Sequence, residues 1–87
     1  MFKELRIGDG SIYSPTRRLV LTFDRDVTNL TLNDIDVIGA EKVLLTRAGD
    51  SVYYLDISNA TRDSIAVTIF KPGCRFAPNT RNVNVYR

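Results

Sequence analysis

The side chains that most often carry out catalysis at neutral pH are largely missing from this sequence. It contains no histidine, which is the commonest general base near pH 7. Its one cysteine, Cys74, follows a Pro-Gly pair and precedes Arg75, and no histidine exists to generate a reactive thiolate. We interpret Cys74 as a structural or incidental thiol. The sequence therefore predicts a protein that is not an enzyme and needs no cofactor.

Four carboxylates form the most suggestive chemical cluster. Asp24 and Asp26 share a face at the end of one predicted strand, and Asp34 and Asp36 share a face at the start of the next. If the two strand ends meet, their oxygens could converge on a hard cation such as Ca²⁺. Because Arg25 intervenes and the spacing does not match a calcium-binding loop, we favour acidic residues that end strand pairing and solvate an edge. No metal site is predicted.

The tyrosines are the candidate binding residues. The chain has four Tyr, four Phe and no Trp. An exposed tyrosine can stack on a sugar or anchor a protein contact, and Tyr53 and Tyr54 point to opposite faces of one strand, so at least one of them should be accessible. The candidates are Tyr13, Tyr53, Tyr54 and Tyr86. We favour core edges or contacts with a neighbouring domain over a carbohydrate platform, which usually presents several coplanar aromatic rings.

Composition and charge limit the kinds of partner that the protein is expected to bind. Eighty-seven residues with 44% hydrophobic and 25% charged residues suit one globular domain spanning residues 1–87. The net charge is only +2, and the densest basic pair, Arg17-Arg18, is soon followed by Asp24 and Asp26. Nucleic-acid-binding domains usually carry a basic stripe, so no nucleic-acid partner is predicted. No apolar run is long enough to span a bilayer, so no membrane insertion is predicted.

Alternating apolar residues predict that the elements holding these side chains are strands. β-Branched and aromatic residues with a period of two suit a half-buried pleated sheet. The residues that share a face are Leu19, Leu21 and Phe23; Ile35 and Val37; Tyr53, Leu55 and Ile57; Ile65, Val67 and Ile69; and Val83 and Val85.

Turn residues separate these runs at intervals typical of a sandwich or barrel. Residues 48–51 contain Gly49-Asp50 between two apolar runs and predict a hairpin. Thr31 and Asp34 have the spacing of a capping box, which predicts a single helical turn between strands. The fold class expected is all-β.

Three stretches taken together resemble bacterial immunoglobulin-like domains. They are residues 19–27 with 30–35, residues 52–58, and the closing segments 67–73, 76–78 and 81–86. The resemblance covers nearly the whole chain and implies an immunoglobulin-like β-sandwich of about seven antiparallel strands. The chain departs from the family pattern at Cys74, where an aromatic residue is usual. The resemblance carries no catalytic residues with it.

The resemblance implies a non-catalytic structural or adhesion module of a bacterial extracellular or cell-surface protein. Such a module would act as a spacer or presenting domain, and its partners would be neighbouring modules, another protein or a second copy of itself. One alternative is a virion decoration or fibre protein of a phage. A further alternative is a carbohydrate- or calcium-binding module.

Overall fold

The computed structural model describes residues 2–27, 29–70 and 79–87, which form seven strands and no α-helix. The strands are β1 (Phe2–Ile7), β2 (Arg18–Phe23), β3 (Ile35–Ile38), β4 (Glu41–Arg47), β5 (Val52–Ser58), β6 (Ser64–Ile69) and β7 (Thr80–Asn84). The predicted all-β fold is confirmed. Over these ranges, no helix has the length and apolar character needed to cross a membrane.

The strands form two antiparallel sheets. One has four strands in the order β1-β2-β5-β4, and the other has three in the order β3-β6-β7. All strand pairs are antiparallel. This is the strand order of a constant-type immunoglobulin sandwich, in which the first, second, fifth and fourth strands face the third, sixth and seventh.

The core lies between the sheets and is built from the alternating residues. Leu19, Leu21 and Phe23 of β2 are buried, as are the inward residues of β5 and β6, which are Tyr53, Leu55, Ile57, Ile65, Val67 and Ile69. Aromatic rings close one end of this core. Phe2 stacks on Phe23 with 5.4 Å between ring centroids, and Phe23 meets Tyr53 edge-on at 6.1 Å.

The local elements expected between strands are also present. Residues 48–51 connect β4 to β5, and the Ala48 N–H donates to the Val52 carbonyl at 2.9 Å. A 3₁₀ turn spans Leu32–Asp34, and the Asp34 carboxylate accepts a hydrogen bond from the Thr31 N–H at 2.9 Å. The hairpin and the capped turn are therefore confirmed.

The sandwich is elongated, and the described chain enters and leaves it at opposite ends. Its principal dimensions are 39 × 21 × 19 Å. The start of β1 pairs with the end of β2, and this end, the N pole, also holds the turn at residues 48–51. The opposite end, the C pole, is formed by residues 8–17, 58–63 and 85–87. There the Thr16 N–H donates to the Tyr86 carbonyl at 2.8 Å.

The edges of the two sheets differ in how they are covered. β1 and β7 are edge strands that lie against each other, and the Arg81 guanidinium donates to the Phe2 carbonyl at 3.0 Å. β4 is the other edge of the four-stranded sheet. On its outer side it has no hydrogen-bonded strand among the described residues. The four-stranded sheet therefore has one edge covered by β7 and one edge that the 3₁₀ turn and β3 approach without strand pairing.

Two leucines on the paired strands β4 and β5 test which side chains contribute most to the free energy of unfolding. Leu55 on β5 is fully buried, whereas Leu44 on the adjacent edge strand is 54% exposed. We expect Leu55→Ala to lower the free energy of unfolding by about 2–5 kcal/mol, since it leaves a cavity in the core. Leu44→Ala should change it by only about 0.5 kcal/mol. Urea denaturation at low protein concentration measures both, and equal losses would contradict this assignment of the core.

Candidate binding surface at the C pole

The four aspartates of the candidate cation site lie in separate environments. Asp26 forms an ion pair with Arg47 at 2.6 Å, and Asp34 accepts the hydrogen bond from Thr31. Asp24 is exposed just beyond β2, and Asp36 is exposed on β3. Within the ranges that the structure describes, no three acidic, Cys or His side chains are grouped so as to hold a metal ion.

The four candidate tyrosines lie in three different environments. Tyr53 is buried, and its hydroxyl donates to the Val27 carbonyl at 2.6 Å. It is a core residue with neither ring nor hydroxyl open to a ligand. Tyr54 is half-buried on the outer face of the sheet, with the Arg18 guanidinium 4.9 Å from its ring centroid. Tyr13 and Tyr86 are both exposed at the C pole.

A tight turn projects two large apolar side chains from the C pole. Ser11 and Ser14 exchange two backbone hydrogen bonds, of 2.9 and 3.1 Å, which places Ile12 and Tyr13 at the corner. Ile12 is 78% exposed and Tyr13 is 91% exposed. We call this pair the apolar tip. Adjacent exposed apolar side chains held in a fixed turn are typical of a contact surface.

The base of the apolar tip is fastened to the sandwich. The Asp9 carboxylate accepts hydrogen bonds from the N–H groups of Arg17 and Arg18 at 2.8 and 3.0 Å. Thr16 is buried, and its hydroxyl accepts from the Tyr86 N–H at 3.0 Å. The Asp9 bonds close the loop between β1 and β2, and the Thr16 bond joins that loop to the last residues of the chain. The tip is thus presented on a braced loop.

A groove of mixed polarity lies at the same pole as the tip, and apolar atoms make up the larger part of its lining. Its volume is about 730 Å³, and its charged and polar lining comprises Asp9, Thr16, Arg17, Arg18, Asp56, Ser58, Asn59 and Arg87. Arg18 forms an ion pair with Asp56 at 3.0 Å, and this hydrogen bond with its charge attraction raises the pKa of Arg18. The groove offers hydrogen-bond donors and acceptors, and its charged side chains include both acidic and basic residues. Such a surface suits contact with another surface of mixed polarity more than proton-transfer chemistry.

The sequence identified only part of this surface. Tyr13 and Tyr86 were candidates because of their residue type, and the structure places both at the C pole. Ile12 was missed, since an isolated isoleucine in a loop gives no periodic signal. The pairing of Ser11 with Ser14 was missed as well, although two serines flanking a two-residue corner were the available signal.

No protein family, curated protein or solved structure matches this chain. The resemblance to immunoglobulin-like domains consequently rests on the sequence segments between residues 19 and 86 described above. The strand order agrees with the fold that the resemblance implies. Cys74 and the closing segments 71–73 and 76–78 lie outside the described residues.

Two glycines test how the tip is held. Gly10 has φ of +108°, and a Cβ there would lie 3.0 Å from Cα of Thr16, whereas a Cβ at Gly49 would meet nothing closer than 4.0 Å. We expect Gly10→Ala to lower the free energy of unfolding by about 1–3 kcal/mol through backbone strain. Gly49→Ala should be nearly neutral. Thermal and urea denaturation compare the two, and a neutral Gly10→Ala would mean that the loop at the C pole is not braced.

Proposed function

We propose that this chain is a non-catalytic immunoglobulin-like structural module, acting as a spacer or presenting domain of a bacterial extracellular or surface protein. The observation that carries the proposal is the placement of the first and last described strands. β1 begins at the N pole, and the chain leaves β7 at the C pole of a sandwich 39 Å long. A module with this geometry extends a protein by its own length and keeps what lies at its two ends apart.

The direction of the strands suits a module under tension. β1 and β7 both run from the N pole to the C pole, and antiparallel hydrogen bonds lie perpendicular to the strands. Force applied between the poles therefore acts across many hydrogen bonds at once. A force applied at one end, so that β7 is peeled away from β6, would break the hydrogen bonds between these two strands one after another.

The apolar tip supplies the contact that such a module needs at its end. Ile12 and Tyr13 stand at the pole where the chain leaves, which also holds the groove with Arg17 and Arg87. Interfaces between domains of one chain are commonly modest in area and mixed in polarity. We assign this surface to a neighbouring module or a protein partner.

Single-molecule pulling tests the mechanical part of the proposal. In one variant the attachment points are the cysteines introduced by Lys3→Cys and Arg87→Cys, so the force acts between the two poles. In the second variant they are introduced by Arg62→Cys and Arg87→Cys, and both lie at the C pole. Cys74→Ser is included in both. We expect a severalfold higher unfolding force along the axis, because forced unfolding reports the barrier in the direction of pulling. Equal forces in the two geometries would contradict a role in bearing tension.

Immunolabelling of unpermeabilised source cells tests the location. An antibody against the folded domain should label intact bacteria, and treatment with an external protease should remove the label. Labelling of purified phage particles instead would favour the virion alternative. Signal only after permeabilisation, with none on particles, would contradict both.

A further inference from the structure

The groove at the C pole gathers arginine side chains from two separate segments of the chain. Arg18 begins β2 and Arg17 precedes it, whereas Arg87 follows β7. All three line the groove, together with two acidic residues, Asp9 and Asp56. The charge that the groove offers to a partner therefore depends on which of these groups already have partners within the chain.

Both aspartates of the lining are engaged. One oxygen of Asp9 accepts hydrogen bonds from the N–H groups of Arg17 and Arg18, at 2.8 and 3.0 Å. The Asp56 carboxylate accepts a hydrogen bond from Nε of Arg18 at 3.0 Å. A cationic group that enters the groove would consequently meet no unbonded carboxylate in the part of the lining that the structure describes.

The arginines, in contrast, keep hydrogen-bond donors available. A guanidinium carries five N–H groups on three nitrogens. Arg18 contacts Asp56 through Nε, and its terminal nitrogens carry further donors. Arg87 likewise contacts Asp63 through Nε at 3.0 Å. Arg17 forms no ion pair with any carboxylate of the described residues. The groove can therefore bind an added anion more readily than an added cation.

The backbone from which these side chains extend is held in place. The N–H of Arg17 donates to Asp9, and its carbonyl accepts from the Ile57 N–H at 2.8 Å. The guanidinium of Arg18 lies 4.9 Å from the ring centroid of Tyr54, which limits its orientation further. A planar guanidinium can bind a carboxylate through two parallel N–H groups, and less freedom is lost when its position is set before binding.

We infer that this groove binds an acidic segment of a protein partner, in which an Asp or Glu carboxylate meets Arg17 and an adjoining aliphatic side chain packs on the apolar lining. Val43 is 54% exposed and belongs to that lining. Partners of a protein interface usually present complementary charge, which selects an acidic segment here. A protein segment fits better than a sugar, because the described lining contains no aromatic ring on which a sugar could stack.

The inference rests on the proposed function, because it names the chemistry of the partner that the C pole receives. The two are nevertheless tested separately. The unfolding force between the poles depends on the strands and not on the Arg17 side chain, so Arg17→Ala should leave that force unchanged. Loss of binding with an unchanged force would separate partner recognition from the spacer role.

Selection from a phage-displayed library of random peptides tests the chemistry of the partner. The 87-residue chain is immobilised, and the retained peptides are sequenced. We expect enrichment of peptides in which Asp or Glu adjoins an aliphatic residue, and loss of these peptides when the immobilised chain carries Arg17→Glu. Enrichment of basic or uncharged peptides, or of no peptide at all, would overturn the inference. Binding of alginate without enrichment of acidic peptides would also overturn it, in favour of an acidic polysaccharide.

Two arginines of the C pole provide a matched comparison. Arg17 lines the groove, whereas Arg62 is exposed at the same pole outside the lining. For a selected acidic peptide, we expect Arg17→Ala to raise Kd at least about tenfold, since it removes hydrogen bonds to a charged group. Arg62→Ala should leave Kd nearly unchanged. Isothermal titration calorimetry measures both, and thermal denaturation checks that both variants are folded. Equal effects of the two substitutions would overturn the assignment of binding to the groove.

Discussion

The period-two burial of three strands, β2, β5 and β6, is the constraint on which the rest of this structure depends. In each of them every second residue points into the space between the sheets, and six of the eight largest fully buried side chains come from these three strands. A shift of one residue in the register of any of these strands would move its entire apolar set to solvent. Pairing of Leu21 with Tyr53 and of Leu19 with Leu55 keeps β2 and β5 in the register that buries both.

Because the stability of the fold comes from this central packing, the loops at the two poles are held by contacts of their own. At the N pole, the loop after β2 is held by the Tyr53 hydroxyl, which donates to the Val27 carbonyl, and by the Val27 N–H, which donates to the Asp50 carbonyl. At the C pole, the buried Thr16 performs the corresponding role by binding the backbone of Tyr86. In both cases several polar contacts hold the loop, including the Arg47–Asp26 ion pair at the N pole and the bonds of Asp9 to the N–H groups of Arg17 and Arg18 at the C pole. The apolar tip can therefore be exposed without being loose, which is the property a docking surface requires.

Much of the fold could be predicted from the sequence, because alternation is a local signal. The inward residues of β2, β5 and β6, the hairpin at residues 48–51 and the capped turn at Thr31 all follow from neighbours in sequence. The candidate sites could not be predicted as well, since they depend on which loops meet. Asp26 and Asp34 have the residue type for a cation site, yet one is bound by Arg47 and the other caps a turn. Likewise, alternation says that Tyr53 and Tyr54 face opposite ways, but only the sheet order says which one is buried.

The same distinction explains why β4 is the informative strand. Its sequence contains as many aliphatic residues as a core strand, and alone it predicts one buried face. In the sandwich it is an edge that packs only Leu45 toward the core, and a bulge turns both Val43 and Leu44 outward. The fold does not need those two side chains to be apolar.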